Sequence, residues 1–156
     1  MGLPRTFVGF SSTDIGYYRL MLAWKENENI DFDFANCQLH DDINSEDEYY
    51  VKRKCRERIN LAGKYILLIG EDTRYKYKYV RWEAQVAIEK SCTIIGVNLD
   101  GSRRVVEATC PPVIRNIGAI FIPFSPYIIK YALEHYEMHD SDDYHYKDEV
   151  YKKLGY

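Results

Sequence analysis

The sequence predicts an α/β fold, a three-layer sandwich in which helices cover both faces of a five-stranded parallel sheet. Short apolar runs, the expected strands, alternate along the chain with longer segments whose apolar residues recur at helical spacing. Strands and helices that alternate in this way form a parallel sheet covered on both sides. The expected strand order is the flavodoxin-like one, 2-1-3-4-5.

Five apolar runs supply the expected strands. The third and fifth runs are almost wholly apolar, which is typical of central strands, whereas the second alternates and indicates an edge strand. The runs are residues 6–10 (TFVGF), 31–36 (DFDFAN), 65–70 (YILLIG), 93–98 (TIIGVN) and 119–124 (AIFIPF).

Four segments have helical periodicity, and they are residues 15–28, 46–62, 80–90 and 127–135. The least regular part of the chain is 99–118, where Asp100-Gly101 predicts a turn and Pro111-Pro112 ends any helix. A short or degraded helix is expected in this part.

The chain divides into one expected domain and a tail. Its 156 residues suffice for a single domain with its own core. We expect the domain to span residues 1–137 and the tail to span 138–156, with a possible short helix at 148–154.

Composition excludes several classes of partner. The net charge of −3 does not indicate the basic surface that is typical of nucleic-acid-binding proteins, so no nucleic-acid partner is expected. No apolar run approaches the roughly 20 residues of a membrane span, so no membrane partner is expected. The first ten residues do not form a secretory signal, and a cytoplasmic location is expected.

The four cysteines do not have metal-site spacing. Cys37, Cys55, Cys92 and Cys110 include no CxxC pair, and none has a histidine at ligand spacing. Buried thiols are therefore expected, and no metal site.

The candidate site residues follow the expected strands, because ligands of open α/β sheets bind beyond the carboxyl ends of the strands. The residues that this rule retains are Phe10, Ser11, Ser12, Asp14, His40, Glu71, Thr73, Arg74, Tyr79 and Glu83. The first loop, FSSTDIG, is a poor phosphate loop, because the charge of Asp14 repels phosphate. Helix capping by its serines and Asp14 is an equal alternative for that loop.

Glu83 has two interpretations. A carboxylate in the first turns of a helix is favoured by the helix dipole alone. At about 100° per residue, however, Glu83 lies about 60° from Val80, at the margin of the apolar stripe that continues through Ala84 and Ala87. Trp82 is expected on the solvated face. A carboxylate at that margin would overlook a pocket at the strand ends, so a catalytic role remains open.

The order of several motifs resembles that of a TIR domain. FVGFSSTD ends the first strand, YILLIGEDT forms the third, and Tyr79 stands four residues before Glu83. YVRWEAQVAIEK, TIIGVNLDG and IPFSPYIIKYAL are similar to the bacterial TIR-like family that includes the NAD-processing subunit of Thoeris anti-phage systems. The likeness covers residues 1–136. Tyr79 departs from the tryptophan that is usual there, and the neighbouring Trp82 is a candidate replacement.

The resemblance implies an enzyme that cleaves the nicotinamide–ribose bond of NAD, an NAD nucleosidase or ADP-ribosyl cyclase. Glu83 would be the catalytic carboxylate. The substrate-binding residues implied are Phe10, Ser11, Ser12, Asp14, Arg74 and Tyr79. NAD would be the substrate and no cofactor would be needed. The product would be a cyclic ADP-ribose isomer or ADP-ribose, a signal in anti-phage defence.

The resemblance also implies partners, and it leaves alternatives. We expect a homo-oligomer on activation and a separate effector protein that senses the product. The acidic loop at residues 37–48 would complete a neighbouring protomer's pocket, or it is simply solvated surface. The main alternative is a non-catalytic TIR-like module that signals by self-association. Another nucleotide or flavin binder on the same fold is a third.

Overall fold

A computed structural model describes residues 6–25, 34–35, 48–59, 63–75 and 79–156. Five strands and five α-helices lie within these ranges, with short 3-10 helices at Ser12–Asp14, Thr73–Tyr75 and Pro112–Ile114. The strands are β1 (Thr6–Gly9), β2 (Phe34–Ala35), β3 (Lys64–Ile69), β4 (Thr93–Asn98) and β5 (Ile120–Pro123). The helices are α1 (Ile15–Lys25), α2 (Glu48–Ile59), α3 (Tyr79–Glu89), α4 (Pro126–His135) and α5 (Asp148–Lys153).

The sheet is parallel, as the α/β class requires, and the class is confirmed. Its strands lie in the order β2-β1-β3-β4-β5. The body of the sheet is formed by four strands, β1, β3, β4 and β5. The segment β2 is two residues long and pairs with Thr6 and Phe7 of β1. The other residues of the predicted strand 31–36 lie outside the described part of the chain.

Two apolar cores cover the two faces of the sheet. The alternation of side chains along β3 sends Tyr65 and Leu67 to one face and Ile66 and Leu68 to the other. The first face is covered by α2 and α3. The second is covered by α1, α4 and α5. The strands that are buried on both sides are therefore apolar throughout, and their ends define a single carboxyl edge.

Helix α3 buries more of its circumference than its sequence predicts. The expectation that Trp82 faces solvent is wrong, because its side chain is only 9% exposed and belongs to the core. Helix α3 packs against α2 as well as against the sheet, so one apolar stripe does not describe its buried surface. An ion pair between Arg56 Nε and Glu89 Oε2, at 2.6 Å, links the two helices at their outer side.

The irregular segment 99–118 is held by side-chain hydrogen bonds. The predicted Asp100-Gly101 turn is present, and Asp100 Oδ1 accepts from the Ser102 amide at 2.9 Å. Asn98 Nδ2 donates to two carbonyl oxygens of the loop, those of Ser102 and Arg104, at 3.0 and 2.9 Å. The expected degraded helix is reduced to the 3-10 turn Pro112–Ile114.

The tail packs on the outer edge of the sheet. Tyr144 accepts from the Phe121 amide at 2.9 Å and donates to the Ala119 carbonyl at 3.0 Å, so the tail runs alongside β5. The apolar composition of β5 was expected to mark a central strand. That expectation is wrong, since β5 is the last strand of the sheet and the tail is what covers it.

The carboxylate of Asp143 ties the tail to the loop before β5. It accepts from Arg115 Nε at 2.9 Å and from the Asn116 amide at 2.8 Å, and its side chain is only 10% exposed. We expect Asp143→Ala to lower the free energy of unfolding by about 1–3 kcal/mol, because it leaves both donors without their acceptor. Urea denaturation measures this. The exposed Asp140 provides the matched control as Asp140→Ala, and equal losses in the two variants would contradict the assignment.

Three of the four cysteines are buried thiols, namely Cys55, Cys92 and Cys110. Burial raises the pKa of Cys92, and it raises the pKa of Cys110 to about 12. Cys37 lies outside the described residues. In the described ranges, no three histidine, cysteine or acidic side chains are grouped so that they could hold a metal ion. No helix of these ranges has the length and apolar character that crossing a membrane requires.

Candidate active site

Asp72 joins the loop that follows β1 to the loop that follows β3, at the carboxyl edge of the sheet. Its carboxylate accepts from Thr13 Oγ1 at 2.9 and 2.8 Å and from Ser11 Oγ at 3.2 Å. Ser11 is buried, and its hydroxyl also lies 3.0 Å from that of Thr13. This group of three residues, the Asp72 clasp, fixes the loop after β1 against the loop after β3. The Ser11 hydroxyl is thus occupied within the protein.

Asp14 lies against the end of β3. A Cβ atom on Gly70 would overlap the Asp14 carboxylate, so the absence of a side chain at position 70 makes room for it. Asp14 also lines a cavity of about 560 Å³ at the carboxyl edge, together with the acidic residues Glu71, Asp72 and Asp100. Four carboxylates make this acidic cavity favourable for a cationic group and unfavourable for phosphate.

Glu83 lies next to Gly9, the last residue of β1. The side chain is only 1% exposed. A Cβ on Gly9 would come within 3.1 Å of Glu83 Oε2 and would overlap the hydroxyl of Tyr65. The carboxylate and the phenol thus lie side by side over the Gly9 backbone. We refer to Gly9, Tyr65 and Glu83 as the Glu83 cluster.

Tyr65 supplies a neutral hydroxyl beside the carboxylate. Burial, and then the negative charge of Glu83, raises the pKa of Tyr65 well above its usual value. The phenol therefore keeps its proton at all physiological pH values. Its oxygen has no hydrogen-bond partner among the described residues. A neutral hydroxyl and the Glu83 carboxylate thus both lie next to Gly9.

The remaining predicted site residues are dispersed. Phe10 is 2% exposed and stacks on Tyr18 with ring centroids 4.8 Å apart, in the core on the α1 side. Ser12 is exposed on its 3-10 helix. Arg74 lines a different cavity, described below. Tyr79 begins α3; its side chain, like His40, is outside the described part.

The structure thus brings together two groups at one edge of the sheet. The Asp72 clasp, with Asp14, lies in the loops that follow β1 and β3, and the Glu83 cluster lies at the last residue of β1. Glu83 lines neither the acidic cavity nor the cavity that contains Arg74. The assignment of catalysis to Glu83 and of substrate contacts to the other residues stays a prediction.

Sequence reasoning missed Gly9, Tyr65 and Asp72. Tyr65 opens an apolar run and has the sequence signature of a core residue, so nothing marks its hydroxyl. Gly9 does carry a signal, because glycine inside a strand often indicates that another group approaches the backbone closely. Asp72 carries no such signal, because its partners Ser11 and Thr13 lie about 60 residues earlier in the chain and a turn aspartate next to a threonine is locally ordinary.

A family model described as Thoeris protein ThsB, TIR-like domain, matches residues 7–104, more than half of the chain. The chain belongs to this family. The resemblance inferred from the sequence motifs is therefore confirmed. The match to the Thoeris TIR-like family spans β1 to β4 and contains both the Asp72 clasp and the Glu83 cluster. No curated protein matches the chain.

Gly9 in this Thoeris TIR-like domain is expected to tolerate no side chain while Tyr65 keeps its hydroxyl. We expect Gly9→Ala to lower the free energy of unfolding by about 1–3 kcal/mol, because the new methyl group overpacks the Glu83 cluster. The double variant Gly9→Ala/Tyr65→Phe should recover most of the loss, since it removes the nearest atom. Urea denaturation of all three proteins measures this.

The control for this prediction is Gly16→Ala in α1. A Cβ there meets no atom within 4 Å, and alanine favours a helix over glycine by roughly 0.5–1 kcal/mol. The described packing of the cluster would be incorrect if Gly9→Ala were as stable as Gly16→Ala. It would also be incorrect if adding Tyr65→Phe to Gly9→Ala recovered none of the lost stability.

Proposed function

We propose that the protein cleaves the nicotinamide–ribose bond of NAD, with Glu83 as the catalytic carboxylate, as part of an anti-phage defence response. The observation that carries this proposal is the placement of Glu83. Helix α3 holds its carboxylate at the carboxyl edge of the sheet, against the last residue of β1, in a chain of the Thoeris TIR-like family. Ligands of open α/β sheets bind at this edge.

One carboxylate is sufficient for this chemistry. The bond between ribose C1′ and the nicotinamide nitrogen breaks, and its electron pair leaves with nicotinamide. The leaving group is cationic before the step and neutral after it, so no acid needs to protonate it. The ribosyl group becomes an oxocarbenium-like cation, which a nearby carboxylate stabilises electrostatically.

The fate of the cation decides the product. Attack by water, with loss of one proton, gives ADP-ribose. Attack by a nitrogen of the adenine in the same molecule gives a cyclic ADP-ribose isomer. Either product is small and diffusible, and a separate effector protein that senses it would complete the response.

The acidic cavity suits the nicotinamide end of the substrate. Its carboxylates, including Asp14, would attract the positive charge of the nicotinamide ring and repel the pyrophosphate. We propose that Ser12 contributes a hydroxyl to the rim of this site, that Ser11 positions the rim through its hydrogen bond to Asp72, and that Phe10, stacked on Tyr18, supports its floor. The Tyr79 side chain is proposed to pack on the nicotinamide ribose.

Burial of Glu83 has a consequence for activation. A carboxylate that is 1% exposed cannot touch a ribose until its surroundings move. We propose that self-association triggers this opening, and that residues 37–48 then contribute to the pocket of a neighbouring protomer. Activity should therefore rise more steeply than protein concentration.

The test is chromatography of NAD labelled in its adenine ring, incubated with the protein over a wide range of concentrations. The proposal predicts nicotinamide and one adenine-containing product in equal amounts. The position of that product's peak distinguishes ADP-ribose from a cyclic isomer. Intact NAD at every concentration, and also with extract of phage-infected cells added, would contradict the proposal.

The burial of Glu83 favours one alternative. A non-catalytic module that signals by self-association needs no accessible carboxylate, and a buried Glu83 agrees with it. Intact NAD in the preceding experiment, together with concentration-dependent association in sedimentation velocity, would support that function.

A further inference from the structure

A second cavity lies on the far side of α3 from the Glu83 cluster. It has a volume of about 370 Å³ and is formed between α3, the 3-10 helix Thr73–Tyr75 and the segment that contains Pro112–Ile114. The lining residues that matter here are Arg74, Arg81, Gln85, Pro111, Pro112 and Val113. A volume of this size lies in the lower part of the range of small-molecule pockets, roughly 300–1,000 Å³.

Two guanidinium groups give this cavity a positive character. Arg74 is held in place, since its Nη1 donates to the carbonyl oxygens of Glu107 and Ala108 at 3.1 and 2.8 Å. Arg81 is exposed and forms no ion pair with the described residues. Among the described residues, no carboxylate lines the cavity. A fixed arginine beside a second arginine without a carboxylate partner is suited to binding a phosphate group.

The rest of the lining suits a flat ring. Pro111, Pro112 and Val113 form one apolar wall. Gln85 lines the cavity too, and its Oε1 atom is buried without a hydrogen-bond partner among the described residues. Buried side-chain oxygens normally accept a hydrogen bond, so an N–H group of a ligand would satisfy it. Nucleobases carry N–H donors on the edge of a flat ring.

The two cavities described here therefore differ in the charge of their lining. The acidic cavity carries four carboxylates, and the cavity behind α3 carries two arginines. Arg81 and Gln85 project from α3 into the second cavity, whereas Glu83 of the same helix lies over Gly9. We propose that the cavity behind α3 is a separate binding site for a nucleoside 5′-monophosphate, with Arg74 and Arg81 on the phosphate and Gln85 on the base. This inference rests on the cavity alone and does not require that the protein cleave NAD.

The experiment is calorimetric titration of the full chain with AMP, GMP, CMP and UMP. Adenosine and inorganic phosphate serve as probes that have only one half of the ligand. We expect at least one nucleotide to bind, and each half to bind at least about tenfold more weakly. Arg81→Gln should weaken binding by roughly tenfold or more, because one charge-assisted contact is lost. Arg19→Gln, the same change at an exposed position of α1 on the opposite face of the sheet, should have no effect.

Two further variants locate the bound nucleotide. Val113→Trp fills the cavity and should abolish binding, while Glu83→Gln should leave it unchanged. The proposal is overturned if none of the four nucleotides binds at millimolar concentration. It is also overturned if binding survives both Arg81→Gln and Val113→Trp, since the nucleotide would then occupy another site. Circular dichroism and the melting temperature of each variant confirm that the fold is retained.

Discussion

Gly118→Ala is expected to lower the free energy of unfolding by roughly 2–5 kcal/mol. Gly118 has a φ of +90°, a conformation that strains any other residue, and a Cβ there would overlap the carbonyl oxygen of His139 and come 2.5 Å from its carbon. The obstacle is backbone, which cannot rotate away as a side chain does. The tail must therefore move off the loop before β5. Urea denaturation measures the loss, and amide exchange at Phe121 and Tyr144 reports whether the tail detaches.

Gly101→Ala is the matched control. Gly101 has nearly the same φ, +87°, but a Cβ there meets no atom within 4 Å. Gly101→Ala should lower the free energy of unfolding only by the strain of a positive φ, about 1–2 kcal/mol. The amides of Phe121 and Tyr144 should remain protected from exchange. Equal losses in the two variants would show that the contact between Gly118 and His139 does not hold the tail.

Much of the fold follows from periodicity. The segment 93–98 was predicted as a strand and β4 has those bounds, because its run is apolar on both faces and is preceded by a helix end. The segment 127–135 was predicted as a helix and α4 begins only one residue earlier, at Pro126, which is favourable as the first residue of a helix. Local patterns suffice where the buried surface of an element is visible in its own sequence.

Prediction was less successful where one element contacts two others. Trp82 was placed in solvent because a single stripe was assumed for α3, and the contact with α2 is not visible in the sequence of α3. The expected order places β5 at the edge of the sheet, where it lies, but its apolar composition indicated a central strand. The composition is misleading because the tail, more than twenty residues later in the chain, covers the outer edge of β5. Both errors come from tertiary contacts that no local window contains.

In the candidate site, too, local patterns predict some placements and not others. The rule that sites lie at the carboxyl ends of strands retained Asp14 and Glu71, which line the acidic cavity together with Asp72. It also retained Arg74, whose guanidinium lines the cavity behind α3 and not the acidic cavity. The 3-10 helix at Thr73–Tyr75 turns the chain between Glu71 and Arg74, so residues three apart face different cavities.

Glu83→Gln is expected to lower the rate of NAD cleavage by at least about 10³-fold. The amide has the shape of the carboxylate and lacks the negative charge that would stabilise the oxocarbenium-like transition state. The fold should survive, because a neutral group is easier to bury than a charged one, and Glu83 is 1% exposed. Melting temperatures equal to or above that of the wild type would show this.

Glu89→Gln provides the control on the same helix. Its carboxylate is half-exposed and pairs with Arg56 at the surface, so neutralising it should change the stability little and leave catalysis intact. The comparison separates a general effect of charge on α3 from the specific position of Glu83.

The central claim is tested most directly by the initial rate of nicotinamide release from NAD, measured for the wild type, Glu83→Gln and Glu89→Gln at one high protein concentration. We predict that the wild type and Glu89→Gln release nicotinamide at similar rates and that Glu83→Gln releases none above background. Release by Glu83→Gln at the wild-type rate would contradict the assignment of catalysis to the Glu83 cluster.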